Sequence, residues 1–562
     1  MITFNTSSGL PVDPATAEII RYELAGAADE MRLALVRSAF SPIVYEGQDF
    51  AGALYDTKLR LLAQCSTLPL FQGTLDVCIA AALAHLGGPA ALRPGDLYLL
   101  NYPWDTGSHA NDMAVVAPGF VNGHHVGFAV VKAHHMDLGG TFAGVTTASS
   151  DVWQEGCLYP AVRIFAAGAR NEDLYRTLLM NTRIPTAFAG DLAAQCGAAR
   201  LGLAGLERIL RRHGQQTFEK AAQALFQHAE THMRTLLHAL PDGRWTAQGA
   251  HDGGSAGLTG PARYSVTVEI AGDELCVDLT EAAAQVRGPV NSPRASVVSA
   301  VRAAIMAFAG AGEIANDGHF RPIRVLTRPG TIFDPLPGAP VGLYAFPLLA
   351  MMDVLFAALA QVVPGRIPAA GNSVAGFALW GVREAGDFWG GATHFCGGQG
   401  ASALYGDGGA PVMHIAASGI RHSSFEAWEA ALPVIVLQAE YAQDSGGAGR
   451  YQGAPGITIQ MRALREMDLT AIFERTQTAP FGLAGGEAAR PNRLRLCYPD
   501  GSSESVSRCN RRIPADTLIL IEMSGGGGYG LPQERRIEAI QSDLRDGYVS
   551  EGWAHQHYPH AL

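Results

Sequence analysis

Asn101-Tyr-Pro-Trp-Asp-Thr-Gly-Ser-His-Ala-Asn-Asp-Met113 and Lys132-Ala-His-His-Met-Asp-Leu-Gly-Gly140 frame the stretch that organises this sequence. Between them lie two apolar runs, residues 113–117 and 126–131, joined through Val121-Asn122-Gly123-His124. Asn-Gly between apolar runs predicts a β-hairpin, because both turn residues must tolerate φ > 0. With Asn122 and Gly123 as the two loop residues, Val121 faces His124. That register sets Asp112 opposite Ala133 and Asn111 opposite His134 at the open end. Opposed side chains there are roughly 5 Å apart. One local element therefore gathers His109, Asp112, His134, His135 and Asp137.

Two imidazoles and a carboxylate, with no thiolate, suit a borderline or hard divalent ion such as Zn, Mn or Fe. In a straight hairpin Asp112 shares a face with His135, and His109 shares the other with His134. A site that uses His109, Asp112 and His134 together thus requires a bend or bulge, expected at the strand start near Pro103 and Gly107. Isolated histidines at strand ends are mostly solvated. Several ligand types converging on one hairpin mouth favour a metal.

The wider composition narrows the function classes. A chain of 562 residues exceeds what one core usually serves, so two or three domains are expected. Its net charge of −11 argues against nucleic-acid binding, which needs a basic face. The eight cysteines are scattered without Cys-x-x-Cys, giving neither a zinc knuckle nor a disulfide framework. The start lacks the basic and apolar regions of a signal peptide, and no run approaches the ~18 apolar residues of a membrane span. A reduced, cytoplasmic protein acting on a small molecule, with no membrane association, is the expectation.

Along the chain, Asp13 and Pro14 open a helix that runs to Arg37 and stops at Ser41-Pro42. Residues 50–56 and 60–64 read as a short hairpin, Leu75 to Leu86 as a helix, and 97–101 as a strand. A largely helical segment covers 171–239. Alternation over 264–270 and 274–279 signals strands, and 297–308 and 352–360 signal helices. The last third is β-rich, with a short helix at 537–544 closing the chain. The expected fold class is mixed α/β (α+β) and multi-domain, with several antiparallel units and a helical middle segment. The divisions are 1–170 with the hairpin, 171–245 helical, 246–445 α/β, and 446–562 β-rich with a glycine loop.

Other motifs carry less. Gly525 to Gly528 lacks the Lys-Ser/Thr ending of a phosphate loop and precedes Leu531-Pro532, not a helix. These glycines are expected to let backbones pass closely. Arg450, after Gly446-Gly-Ala-Gly449, is a candidate anion contact. Glu155, beside Trp153 in a Gly-bounded loop, is a candidate acid/base, and Asp49 is either a turn cap or a ligand contact.

Gly107-Ser-His-Ala-Asn-Asp112 with Ala133-His-His-Met-Asp-Leu-Gly-Gly140 resembles the hydantoinase B/5-oxoprolinase family. That family includes N-methylhydantoinase beta, caprolactamase small and acetone or acetophenone carboxylase metal-binding subunits. Blocks at 13–20, 171–174, 285–293, 446–451 and 525–532 fall in the family's order. The resemblance implies a metal held by a His, an Asp three residues on, and a His twenty-five after the first, which map to His109, Asp112 and His134. It further implies a larger hydantoinase A-like partner, in a heterotetramer or higher heteromer, that binds ATP and Mg and phosphorylates the substrate.

On that basis the chain is expected to be the metal-bearing subunit of an ATP-dependent hydrolase of hydantoins, lactams or 5-oxoproline. Zn or Mn is the expected ion, ahead of Fe. His135, Asp137 and Glu155 are the candidate proton relays, and Asp49 and Arg450 the candidate substrate contacts. The alternative is a ketone carboxylase subunit, although carboxylase relatives are longer. A non-haem iron oxygenase also uses two His and one carboxylate, but normally as His-x-Asp on a jelly roll. A non-catalytic scaffold would hold no metal. The sequence departs from the family pattern at Asp49-Phe-Ala-Gly-Ala-Leu-Tyr55 and at Asn111.

Overall fold

Seven strands make one antiparallel sheet around the hairpin: β1 (Phe50–Tyr55), β2 (Leu61–Gln64), β3 (Leu97–Leu100), β4 (Asp112–Val121), β5 (His124–His134), β6 (Val162–Ala166) and β7 (Ala169–Arg170). Their spatial order is β2-β1-β5-β4-β3-β6-β7. The computed structural model describes residues 12–254, 257–309, 314–373, 375–409, 412, 414, 417 and 420–561.

The turn forms as expected, with φ of 51° at Asn122 and 82° at Gly123. Val121 faces His124 and Phe120 faces His125, but next Gly119 faces Gly127, leaving Val126 as the extra residue of a β-bulge. From there to the open end the register is displaced by one, so Asp112 faces His134 and Met113 faces Ala133. The expected pairing of Asp112 with Ala133 is corrected, and the bulge sits beside the turn instead of at the strand start. Side chains alternate with period 2, so one residue puts Asp112 and His134 on the same face. At Gly127 φ is +152°, and a Cβ would stand 2.3 Å from the Tyr55 carbonyl oxygen. Only glycine fits there.

The strands read as apolar runs because the sheet is covered on both faces. On one side Leu97, Leu99, Val115, Val131 and Ala133 pack with the helices Pro14–Ser38 and Pro185–His213. On the other, Tyr98, Leu100, Ala114, Val116 and Val130 join a core that includes the helices Leu75–Leu86, Arg294–Ala309 and Ala345–Ala360. Asp112, Lys132 and His134 lie in phase with this second face, and His135 with the first. Asp13 caps the first helix as expected, accepting from the Thr16 N–H at 3.0 Å. One 18-residue window, Pro69–Leu86, is long and apolar enough to cross a membrane, contrary to expectation. It breaks into two helices at Gly73 and Thr74, and Leu75, Cys78, Ile79 and Ala82 pack into the core.

Among the described residues, three further sheets join it in a mixed α/β fold. The first orders Ile323–Leu326, Glu274–Asp278, Ala262–Ala271 and Gly243–His251, with a parallel pair at its edge. The second pairs Phe388–Phe395, Ala375–Val382, Met467–Phe473 and Arg508–Ile513. The third holds Val434–Ala442, Gly456–Ala463, Leu518–Glu522, Arg493–Cys497 and Ser503–Val506. Helix Ile537–Arg545 does not close the chain, because a second helix, Glu551–His557, follows it. Gly525 to Gly528 pass directly against backbone: a Cβ on Gly526 would meet the Gln399 carbonyl at 1.9 Å, and one on Gly528 the Ala448 carbonyl at 2.0 Å.

Gly127→Ala is expected to destabilise the protein by about 1–3 kcal/mol through backbone strain. The urea midpoint reads it, and an unchanged midpoint would show that the bulge does not depend on this glycine.

Candidate metal centre

The bulge brings Asp112 and His134 together, and the chain before β4 delivers His109. A single helical turn, Pro103–Thr106, ends at Gly107 with φ of 70°, and the Asp112 N–H then bonds the His109 carbonyl at 3.1 Å. Behind this turn lies Lys132, fully buried. Its ammonium donates to Thr74 Oγ1 at 2.5 Å, the Thr106 carbonyl at 3.0 Å and Ser108 Oγ at 3.2 Å, and sits over the Phe71 ring. A strand lysine thus pins the segment that carries His109 to the strand that carries His134.

The three donor atoms form a near-equilateral triangle. Asp112 Oδ1 lies 2.9 Å from His109 Nε2 and 3.1 Å from His134 Nδ1, and the two nitrogens are 3.1 Å apart. Neighbouring ligands around an ion with bonds of about 2.0–2.2 Å are separated by about 3 Å, so these residues fit a divalent cation. The outer contacts suit the same purpose. His109 Nδ1 donates to the Gly342 carbonyl at 2.8 Å, which leaves Nε2 as a lone-pair donor. Tyr344 donates its hydroxyl to Asp112 Oδ2 at 3.1 Å. Burial acts to raise the Asp112 pKa, but the charges and hydrogen bonds of His109 and His134 outweigh it and hold the group well below the usual carboxylate range.

Asp49 stands beside the triangle but outside its mutual contacts. Its carbonyl accepts the His134 N–H at 3.0 Å, while its Oδ1 is buried without a hydrogen-bond partner. Burial pushes this carboxyl up to about 6, against the pull of His134 and with the repulsion of Asp112. A buried carboxylate oxygen with no donor is costly, and a neighbouring cation relieves it. The side chain is therefore not the turn cap considered from sequence. Asp49, His109, Asp112 and His134 all line one cavity of about 110 Å³.

The other sequence candidates lie elsewhere. His135 points to the opposite sheet face, where Nε2 is 2.7 Å from Gln195 Oε1 and the ring packs on Phe188. Asp137 pairs with Arg183 at 2.7 Å and accepts the Arg183 and Gly144 N–H groups at 2.6 and 3.3 Å, anchoring the following loop. Arg450 is exposed in the glycine-rich unit, 3.9 Å from Glu534. None of these three lines the cavity. Glu155 is buried one layer behind it, accepting from Ser149 Oγ at 2.7 Å and from the Val341 and Gly342 N–H groups at 2.9 and 2.7 Å. The Gly342 peptide thus bonds Glu155 through its N–H and His109 through its carbonyl. Tyr344, Lys132 and His394, which also lines the cavity, were not singled out by sequence. Lys132 alone carried a signal, a lone cation inside an apolar strand.

The profile of the family described as hydantoinase B/oxoprolinase matches residues 13–532. The chain belongs to this family. It is 28% identical to a protein of Pseudomonas sp. (strain NS671) named as the B component of a D-/L-hydantoinase, over 96% of this chain and 94% of that one. It is 29% identical to the beta chain of caprolactamase from Pseudomonas jessenii, over 97% and 96% of the two chains. The crystal structure of the ATP-dependent caprolactamase from P. jessenii superposes with a TM-score of 0.90 at 27% identity, covering 98% of this chain and 97% of that one. A nucleotide-free acetone carboxylase structure gives the same TM-score at 18% identity and 79% coverage of its chain, a likeness of fold alone.

Burial pushes the Glu155 carboxyl up to about 7, opposed by its Ser149 and backbone hydrogen bonds. A raised carboxyl stabilises the fold below its unfolded pKa of about 4.3, and that stability is lost as pH rises through about 7. Glu155→Gln is expected to flatten the fall in stability between those limits, measured by urea midpoints against pH. Parallel curves for both proteins would refute the raised value.

Proposed function

We propose that this chain is the metal-bearing subunit of an ATP-dependent cyclic amide hydrolase, completing ring opening of a hydantoin, lactam or 5-oxoproline phosphorylated by a larger, ATP-binding partner. The observation that carries it is the N₂O donor triangle of His109, His134 and Asp112 on a cavity wall, backed by the unpartnered Asp49. The likeness to caprolactamase over nearly the whole of both chains supports the hydrolase branch. Likeness to the carboxylase extends to fold alone.

His109, Asp112 and His134 would hold Zn or Mn, and Asp49 adds a second negative charge that balances a divalent ion. When bound, the ion supplies Lewis acidity to an oxygen of the activated amide. The residues around it do the positioning. Gly342 fixes the His109 tautomer, Glu155 fixes Gly342, and Tyr344 holds the outer oxygen of Asp112, so the donors keep their geometry without reorganising. The apolar cavity walls exclude bulk water, which strengthens each of these polar contacts. Glu155 acts here as a support for the loop. His135 clamps the sheet to the helix Pro185–His213, and Asp137 clamps the loop after β5.

The chain is expected to retain near-stoichiometric metal after purification, measured by elemental analysis, and His109→Ala to lose most of it. ATP-dependent ring opening is expected only when the ATP-binding partner is added. Equal metal-free preparations of both proteins would remove the centre, and ATPase from this chain alone would overturn the two-component reading.

A further inference from the structure

The charged groups of the cavity lining are gathered in one cluster, Asp49 and Asp112 with His109 and His134. The rest of the lining includes residues from the sheet of Ala375–Val382, Phe388–Phe395 and Met467–Phe473 and from the helix Ala345–Ala360. Its register pairs Gly376 with His394 and Ile472, and Ala378 with Ala392 and Thr470. These residues and Trp380 therefore share one strand face, and all of them line the cavity beside Phe346 and Leu349. No arginine or lysine is among the described lining residues.

Three polar atoms among the lining residues of this sheet have no partner. Trp380 Nε1, Thr393 Oγ1 and His394 Nδ1 are all buried and unbonded. Buried polar groups are almost always hydrogen-bonded, so orphans among the lining residues of a cavity point to a ligand that supplies the missing partners. Trp380 offers only an N–H donor. Burial, reinforced by His134 and His109, pushes the His394 imidazole down to about 3, so it meets a ligand as a neutral ring. This part of the lining thus presents neutral hydrogen-bonding groups on a largely apolar surface.

We infer that the substrate is a neutral cyclic amide or ureide with an apolar body, either ring methylenes or an apolar substituent, with its amide edge held by Trp380 and His394 and its apolar part against Phe346, Leu349 and Ile472. The inference rests on the hydrolase reading above and narrows it. Negative charge developed on the reacting oxygen lies at the metal end. A carboxylate on the ring, as in 5-oxoproline, would instead fall among residues that include no arginine or lysine, and its desolvation would be uncompensated. Trp380 and His394 are positioning residues in this scheme.

The test uses the full chain with its ATP-binding partner and compares 5-benzylhydantoin, caprolactam and 5-oxoproline. We expect kcat/KM for one of the neutral rings to exceed that for 5-oxoproline by on the order of 100-fold or more, as expected when a charged group is left unpaired. Trp380→Phe, which keeps an aromatic ring and removes the N–H, is expected to raise KM for the preferred neutral ring roughly tenfold with kcat and melting temperature little changed. Turnover of 5-oxoproline as fast as or faster than both neutral rings would overturn the inference and leave the hydrolase reading standing. If no ring is opened, the hydrolase reading fails. Equilibrium binding to the metal-loaded chain, followed by tryptophan fluorescence, then decides: tighter binding of 5-benzylhydantoin than 5-oxoproline supports the pocket chemistry, and equal or reversed affinities overturn it.

Discussion

The pairing of Asp112 with His134 is the contact on which the site depends, and it exists because β5 holds one more residue than β4 between turn and mouth. Strand side chains alternate, so no smaller adjustment would do. Without Val126 in the bulge, Asp112 would face Ala133 and the second imidazole would lie on the other face of the sheet. The bulge depends in turn on Gly127, whose backbone runs too close to Tyr55 for any side chain. A few atoms of steric exclusion at one end of a ten-residue strand thus decide which groups meet at the other end.

A second constraint is burial. Asp112 and Lys132 lie in, and Asp49 directly precedes, strands of a sheet covered on both faces, where charge is tolerated only with a partner. Lys132 satisfies its ammonium with three oxygens. Asp112 finds two imidazoles and a phenol. Asp49 leaves an oxygen bare. The polar cluster is complete except on the cavity side, where a cation would complete it.

Local signals in the sequence were reliable and distant ones were silent. Asn122-Gly123 and the Asp13-Pro14 cap depend on a few neighbouring residues, and both formed as read. The ligand trio was legible because all three members lie within one hairpin. The bulge was misplaced because Val126-Gly127 looks like ordinary strand until Tyr55 is seen against it. Tyr344 and His394 come from elements more than 200 residues from the hairpin, and no periodicity tells which loop will cover a cavity. His135 and Asp137 misled for the converse reason. Proximity in sequence placed them beside the ligands, while strand alternation and the turn after β5 sent them away.

The glycine crossings between the segments near 398, 446–454 and 525–528 bear on how the chain tolerates change. Gly398, Gly446, Gly453 and Gly526 each stand where a single methyl group would overlap a main-chain oxygen of a neighbouring segment. A saturation-mutagenesis map would therefore show a dense patch of intolerance there, comparable to that around His109. The cause would be excluded volume and not chemistry. A hunt for the reactive centre by mutational sensitivity alone would find two places, and among the described residues the hairpin mouth is the one that gathers imidazole and carboxylate donors in one cluster.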